Sequence, residues 1–171
     1  MILDLIPANS PILKQEMERF DFSNPPVNPL DLVTDLAETM LHHNGIGLAA
    51  NQCGLPYRVF VMNADELIPC FNPIIVHYDP DTIVLEEGCL SNPNLFVKIK
   101  RPRTIKVRYT EPDGNTLTRV FDGMTARIFQ HELSHLNGEN YIRLASSYHR
   151  EQARSQQKKA NRQNKELHYA Y

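Results

Sequence analysis

Between residues 31 and 43 the apolar positions Val33, Leu36, Ala37, Met40 and Leu41 recur every three or four residues. That period predicts an amphipathic helix, with Asp31 and Asp35 early, two histidines late, and Asn44-Gly45 to stop it. The period then shortens. "YRVFVM" (57–62), "FNPIIVHY" (71–78) and "TIVLEE" (82–87) are short, rich in Val and Ile and punctuated by Pro, Asn and Asp, which predicts strands. Residues 103–121 alternate apolar and polar on either side of "EPDGN", the turn chemistry of an antiparallel hairpin. A helical period returns in "DGMTARIFQHELSHLNG" (122–138), with Asp122 as N-cap and Gly138 as the stop. Helix, several strands, then helix is an α+β pattern, with no βαβ alternation. The expected architecture is antiparallel strands and a hairpin packed around a central helix, with an N-terminal helix and a C-terminal helical tail.

Composition narrows the picture. The 171 residues are 42% hydrophobic and 22% charged with a net charge of -2, as for one soluble globular domain, with no whole-chain attraction for DNA or a membrane. The N-terminus lacks a basic region ahead of its short apolar run, and no run reaches membrane-spanning length, so a cytoplasmic protein is expected. Three cysteines without a CxxC argue against a disulfide framework. Charge is concentrated only at the end. Residues 146–171 carry Arg150, Arg154, Lys158, Lys159, Arg162 and Lys165 against Glu151 and Glu166. We therefore expect a domain over 1–145 and a basic tail over 146–171, a solvated helix or an RNA-facing arm.

The chemistry begins at "HELSH". On a helix, His131 and His135 lie one turn apart on one face, and Glu132 beside them can reach a metal-bound water without binding the metal. Two surface histidines would look the same in isolation. A third ligand downstream is poorly served: the position a metzincin would fill with histidine is Tyr141, and Glu151 and Glu166 sit in the basic tail. Upstream, Cys89 follows Gly88 at the end of a predicted strand, where glycine re-aims the next side chain. One thiolate and two imidazoles would leave a fourth position open, as in catalytic sites. Taken alone, Cys89 reads as a buried free cysteine. "GIGLAANQCG" (45–54) adds Gly45 and Gly47, which permit close backbone approach, and Gln52, which offers a donor and an acceptor.

"GIGLAANQ", "EGCLS" and "HELSH", in this order and spacing, resemble the three motifs of the peptide deformylases, and the resemblance covers most of residues 1–145. It implies a hydrolase that removes the formyl group from the N-terminal formyl-methionine of nascent polypeptides, with one divalent metal, Fe(II) by expectation and Zn, Ni or Co as alternatives. Carried across, Cys89, His131 and His135 become metal ligands. Glu132 becomes the general base and acid for attack by a metal-bound water on the formyl carbonyl, and Gln52 and the Leu90 backbone N–H become oxyanion donors. Helix geometry places Met124, Arg127 and Ile128 on the face of His131. With Ile46 and Leu85 they would form an apolar slot for a methionine side chain, Arg127 through its stem, and Gly45, Gly47, Glu87 and Gly88 complete the expected substrate-binding set. The family's usual acidic residue in the third motif is here Ser134, with Arg101 as the arginine an acid there would have paired. Two other readings use the same residues: a metallopeptidase cutting internal peptide bonds, and a non-catalytic relative that keeps the metal as a staple and binds ribosomes or peptide ends.

Overall fold

The computed structural model describes residues 1–163. Its first helix, α1 (Pro29–His42), starts two residues earlier than its apolar period. Asn28 caps it by accepting from the backbone N–H groups of Leu30 and Asp31, and Pro29 fits the first turn, where no N–H is needed. Its end is as expected, with Asn44 in the left-handed region (φ 55°). Leu32, Leu36, Ala37 and Met40 are buried, whereas Leu41 is 58% exposed.

Seven strands follow in two antiparallel sheets: β1 (Gly47–Ala49), β2 (Val59–Asn63), β3 (Leu67–Tyr78), β4 (Thr82–Cys89), β5 (Asn92–Pro102), β6 (Thr104–Thr110) and β7 (Thr116–Asp122). The larger sheet has the order β1-β2-β3-β6-β7, and among the described residues β4 pairs only with β5. The predicted hairpin is β6–β7, closed by a turn in which Gly114 takes φ 90° and donates to the Glu111 carbonyl at 2.9 Å. β5 was not anticipated. It begins with Asn92-Pro93-Asn94, which reads as a turn, yet beyond it Leu95, Val97 and Ile99 alternate inward as a half-buried strand requires.

The helix α2 (Gly123–Leu136) lies between the sheets and is buried from Ala126 to Leu136. One side, with Ile128, Phe129, Leu133 and Leu136, joins Phe60, Met62, Val107, Tyr109 and Phe121 of the larger sheet in the main core. The other faces β4–β5. Its C-terminal end is pinned by three hydrogen bonds: Leu136 O accepts from Met17 N at 2.7 Å, and Arg58 donates to Leu136 O at 3.4 Å and to Asn137 Oδ1 at 2.9 Å. A cation at that end also opposes the helix dipole. Gly138 (φ 69°) ends the helix where only glycine fits, since a Cβ there would lie 2.7 Å from the Gln15 backbone.

The expected tail contains α3 (Ser147–Arg162), capped by Ser146 and laid along β5. Only Ala153 and Ala160 of α3 are buried. Alanines let the backbones approach closely but leave little hydrophobic pattern to read. Gln157 donates to Pro93 O at 2.9 Å, and Asn94 to Asn161 Oδ1 at 3.1 Å, fastening the helix down. Lys165 and Glu166 lie outside the described residues. Among the described residues no helix is long and apolar enough to cross a membrane.

Candidate metal centre

Three segments far apart in sequence meet where α2 faces the end of β4. The Cys89 thiol and one ring nitrogen each of His131 and His135 lie within 4.8 Å of one another, all three residues buried. Cys89 Sγ is 3.2 Å from His135 Nε2. The helix supplies the two imidazoles one turn apart, and the strand supplies the thiol. The β4–β5 register breaks between Glu87 and Cys89, at Gly88, as a bulge that re-aims the strand end toward the helix.

Burial shapes the protonation of this set. It pushes the Cys89 thiol up to about 12, and it holds His135 well below the ordinary imidazole range, helped by neighbouring His131. His131 is also lowered by burial, with Glu87 opposing the shift. Two neutral imidazoles and a thiol that would ionise only against a cation form a donor set suited to a divalent metal of borderline softness.

Glu132 lies beside the set on the face toward β1. It is wholly buried, and neither carboxylate oxygen has a hydrogen-bond partner among the described residues. Burial, then the charge of Glu87, raise its carboxyl well above the ordinary range, while the nearby Ala49 backbone opposes the shift. Gly47 is what admits it: a Cβ at that position would sit 2.3 Å from Glu132 Oε1. Gly45 does the same for Leu90, whose Cδ1 would be 2.8 Å from a Cβ there.

Gln52 sits in a helical turn, Ala50–Cys53, directly after β1. Its Oε1 accepts from Ala49 N at 2.9 Å, which turns the amide so that Nε2 approaches Ser91 Oγ (3.1 Å) and Cys89 Sγ (3.5 Å). The adjacent Asn51 donates to the His135 carbonyl at 2.7 Å, tying this turn to the helix that carries both histidines. Tyr141 packs its ring 4.8 Å from that of His131 and donates to Leu95 O. Sequence reasoning missed Asn51, Ser91 and Tyr141 as neighbours of the site: Asn51 acts on His135 across 84 residues and Ser91 meets Gln52 across 39, whereas Tyr141 follows the second histidine closely and carried no polar pattern to mark it.

Two of the expected site residues lie deeper than the peptide slot. Glu87 and Arg127, assigned to the peptide slot, turn inward and are 0% and 1% exposed. Arg127 donates to Glu87 Oε2 (2.7 Å), Ile99 O (2.9 Å) and Ile83 O (2.7 Å), so its guanidinium fastens α2 to both strands of the smaller sheet. A buried guanidinium with unmet donors would cost several kcal/mol, and this pocket of acceptors is where the arginine is satisfied. Arg101 is not left behind by Ser134 either. It grips Glu87 through Nε (2.7 Å) and Nη2 (2.9 Å), while Nη1 reaches Ser134 Oγ at 3.3 Å. Burial disfavours a charge on Glu87, but hydrogen bonds from His131 and Arg101 and their charges outweigh it and hold the carboxyl well below its ordinary range. Of the other slot residues, Ile46 and Leu85 are half-buried, Ile128 is buried in the main core and Met124 is 49% exposed.

The family model described as polypeptide deformylase matches residues 2–151. The chain belongs to this family. A peptide deformylase of Pseudothermotoga lettingae is 35% identical over 163 residues, covering 94% of this chain and 92% of the relative. One from Thermotoga petrophila is 49% identical over 104 residues, a match that takes in 60% of this chain and 63% of the relative's length. Among solved structures, peptide deformylase from Thermotoga maritima superposes with a TM-score of 0.81 at 37% identity, covering 85% of this chain and 99% of that one. The class I type b enzyme from Acinetobacter baumannii, bound to Met-Ala-Ser, gives 0.78 at 30% identity over 84% of this chain and 98% of that one. The deformylase fold thus accounts for both sheets and the helix between them.

Proposed function

We propose that the chain is a metal-dependent hydrolase that removes the formyl group from the N-terminal formyl-methionine of nascent polypeptides and releases formate. The observation that carries this reading is a buried thiol and two imidazoles gathered within 4.8 Å, beside a buried glutamate whose carboxylate has no hydrogen-bond partner among the described residues. Cys89, His131 and His135 would hold the metal, with Fe(II) the expected native ion and Zn, Ni or Co able to use the same donors. When bound, such an ion polarises a carbonyl and makes a water molecule acidic enough to attack near neutral pH.

The chain's own groups do the rest. Glu132 takes the proton of the attacking water and returns it to the amine as the C–N bond breaks, a task suited to a carboxyl whose proton affinity burial has raised. Gln52 Nε2, fixed by the Ala49 N–H on its other end, donates to the oxyanion together with the Leu90 backbone N–H. β1 lies at an edge of the larger sheet, and β4 pairs on one side only, so backbone around Gly45–Gly47 and Leu85–Gly88 is available to an extended peptide. Ile46, Leu85, Met124 and Ile128 remain the slot for the methionine side chain. That the Acinetobacter baumannii relative binds Met-Ala-Ser, the peptide left after deformylation of formyl-Met-Ala-Ser, supports this assignment.

Formate release from formyl-Met-Ala-Ser under anaerobic conditions, with metal content measured in parallel, tests the reading. Metal-loaded protein that releases no formate would overturn it, and chelator-sensitive digestion of casein would favour a peptidase instead. Gln52→Ala is expected to lower kcat roughly 10²- to 10³-fold with a modest change in KM. If KM alone moves, Gln52 positions the peptide and does not stabilise the transition state.

The same reading places the hydrolase in residues 1–145 and gives the basic segment 146–171 a docking role on ribosomal RNA in the cytoplasm. Arg154, Lys158, Lys159 and Arg162 are exposed on α3, with the buried alanines on its other side. Because Ala153 shares an apolar cluster with Cys89, reversing charge tests docking more cleanly than truncation. Arg154→Glu/Lys158→Glu should leave deformylation of a short peptide unchanged and weaken co-sedimentation with ribosomes, and wild-type binding should fall steeply with salt. Unchanged co-sedimentation would make the segment a solvated helix only.

A further inference from the structure

Gln52 is aimed by a lock that travels with it. Its Oε1 accepts from Ala49 N, three residues back, so the bond fixes the amide relative to its own turn and leaves open where the turn stands in the site. That turn is short, Ala50–Cys53, and is closed locally by bonds from Gly54 N to Asn51 O and from Leu55 N to Ala50 O, both 3.1 Å. A single turn of 3₁₀ geometry is a weak platform by itself. Asn51 supplies its tie to α2. The side chain is 0% exposed, and Nδ2 donates at 2.7 Å to the carbonyl of His135, in the last turn of the helix, where carbonyls lack intrahelical partners. Oδ1 has no hydrogen-bond partner among the described residues. Adjacent side chains thus diverge: Asn51 grips the main chain of one candidate ligand, and Gln52 brings Nε2 to 3.5 Å from the sulfur of another, Cys89.

We propose that Asn51 is a positioning residue for the oxyanion donor: its amide, anchored on the main chain of His135, holds the turn and with it Gln52 Nε2 at the distance from the Cys89, His131 and His135 cluster that a developing oxyanion requires. The proposal rests on the deformylase reading, in which Gln52 stabilises the transition state. Such a donor acts only from roughly 2.7–3.1 Å. A displacement of about 1 Å can cost on the order of 10²-fold in rate. The end of α2 does not depend on the same bond, because Gly138 N donates to the His135 carbonyl at 3.1 Å while Met17 N and Arg58 hold Leu136 O. Losing the Asn51 amide therefore frees the turn and leaves the helix in place.

Two variants of the zinc-loaded protein test this. Asn51→Leu keeps a branched side chain without the donor, and Asn51→Ala removes the donor without overpacking. Each should lower kcat for formyl-Met-Ala-Ser roughly 10- to 100-fold. KM and zinc content should stay unchanged, because the misplaced contact is one made in the transition state. The cycle with Gln52→Ala separates positioning from support: in that background the Asn51 substitutions should change kcat less than about 2-fold, since no donor remains to be misplaced. A second readout needs no turnover. In ¹H–¹⁵N spectra the side-chain amide pair of Gln52 should be sharp in the wild type and shift or broaden in both variants, with the main-chain amides of α2 from Ala126 to Leu133 unmoved. A loss of kcat that persists in full in the Gln52→Ala background would overturn the proposal. Loss of zinc in either variant would too, since Asn51 would then act through His135, as would failure of both variants to fold. Wild-type kcat with an unmoved Gln52 signal would also sink it. A wild type that releases no formate would count against the deformylase reading, and the amide spectra would still decide whether Asn51 places Gln52.

Discussion

Glu132→Ala is expected to lower turnover roughly 10²- to 10⁴-fold while metal content stays near that of the wild type. The side chain lies against Gly47 and has no hydrogen-bond partner among the described residues, so its removal breaks no structural bond. Taking an unpaired ionisable group out of a buried site should even raise the melting temperature slightly, because burial opposes its charged form. The combination is diagnostic. A structural residue would lose stability with activity, and a metal ligand would lose metal with activity. Metal analysis, kcat for formyl-Met-Ala-Ser and a melting curve on one preparation separate the three cases. Loss of the metal would move Glu132 into the ligand set.

Cys89→Ala should fail in the opposite way, losing metal and activity together. Two imidazoles remain, without the anionic donor, and affinity is expected to fall by more than the roughly 10- to 100-fold typical of losing a partner behind a ligand. The fold should survive. One sulfur is removed from a cluster that keeps Leu95, Val97, Ile99, Tyr141 and Ala153 around it, so the variant should melt close to the wild type measured in excess chelator. Full occupancy in Cys89→Ala, measured after exhaustive dialysis, would sink the assignment of the thiol.

The contrast between these variants reflects which features could be read from the chain. The period of 31–43, the alternation about "EPDGN" and the i, i+4 histidines are local, and α1, the β6–β7 hairpin and α2 carry them as expected. Cys89 was reachable because a glycine before it marks a bulge. Harder to read was the sidedness of α2. Residues seven, four and three positions before His131 share its face, but a helix buried on both sides has no polar face to show where that face looks. Arg127 thus reads as part of a slot, and the clamp its guanidinium makes on Glu87, Ile99 and Ile83 is not visible from the period. Glu87 held a signal that was overlooked: a carboxylate at an inward position of an alternating strand requires a buried cation. β5 was hidden by its opening Asn-Pro-Asn, though the alternation of Leu95, Val97 and Ile99 was present.

The proposed ligands do not all belong to one layer. Cys89 ends a strand of the two-stranded sheet, whereas His131 and His135 ride on a helix whose apolar side is seated on the five-stranded one. A metal held by all three is a rivet through the seam between layers, and its binding free energy becomes cohesion of the whole molecule. At a free metal concentration 100 times the Kd, mass action alone adds about 2.7 kcal/mol to the folded state. That is a large share of the roughly 5–15 kcal/mol by which most domains are stable. With these three residues as ligands, the lifetime of the protein in a cell would be coupled to the local supply of the ion, and starvation for it would expose the chain to proteolysis as well as silence its chemistry.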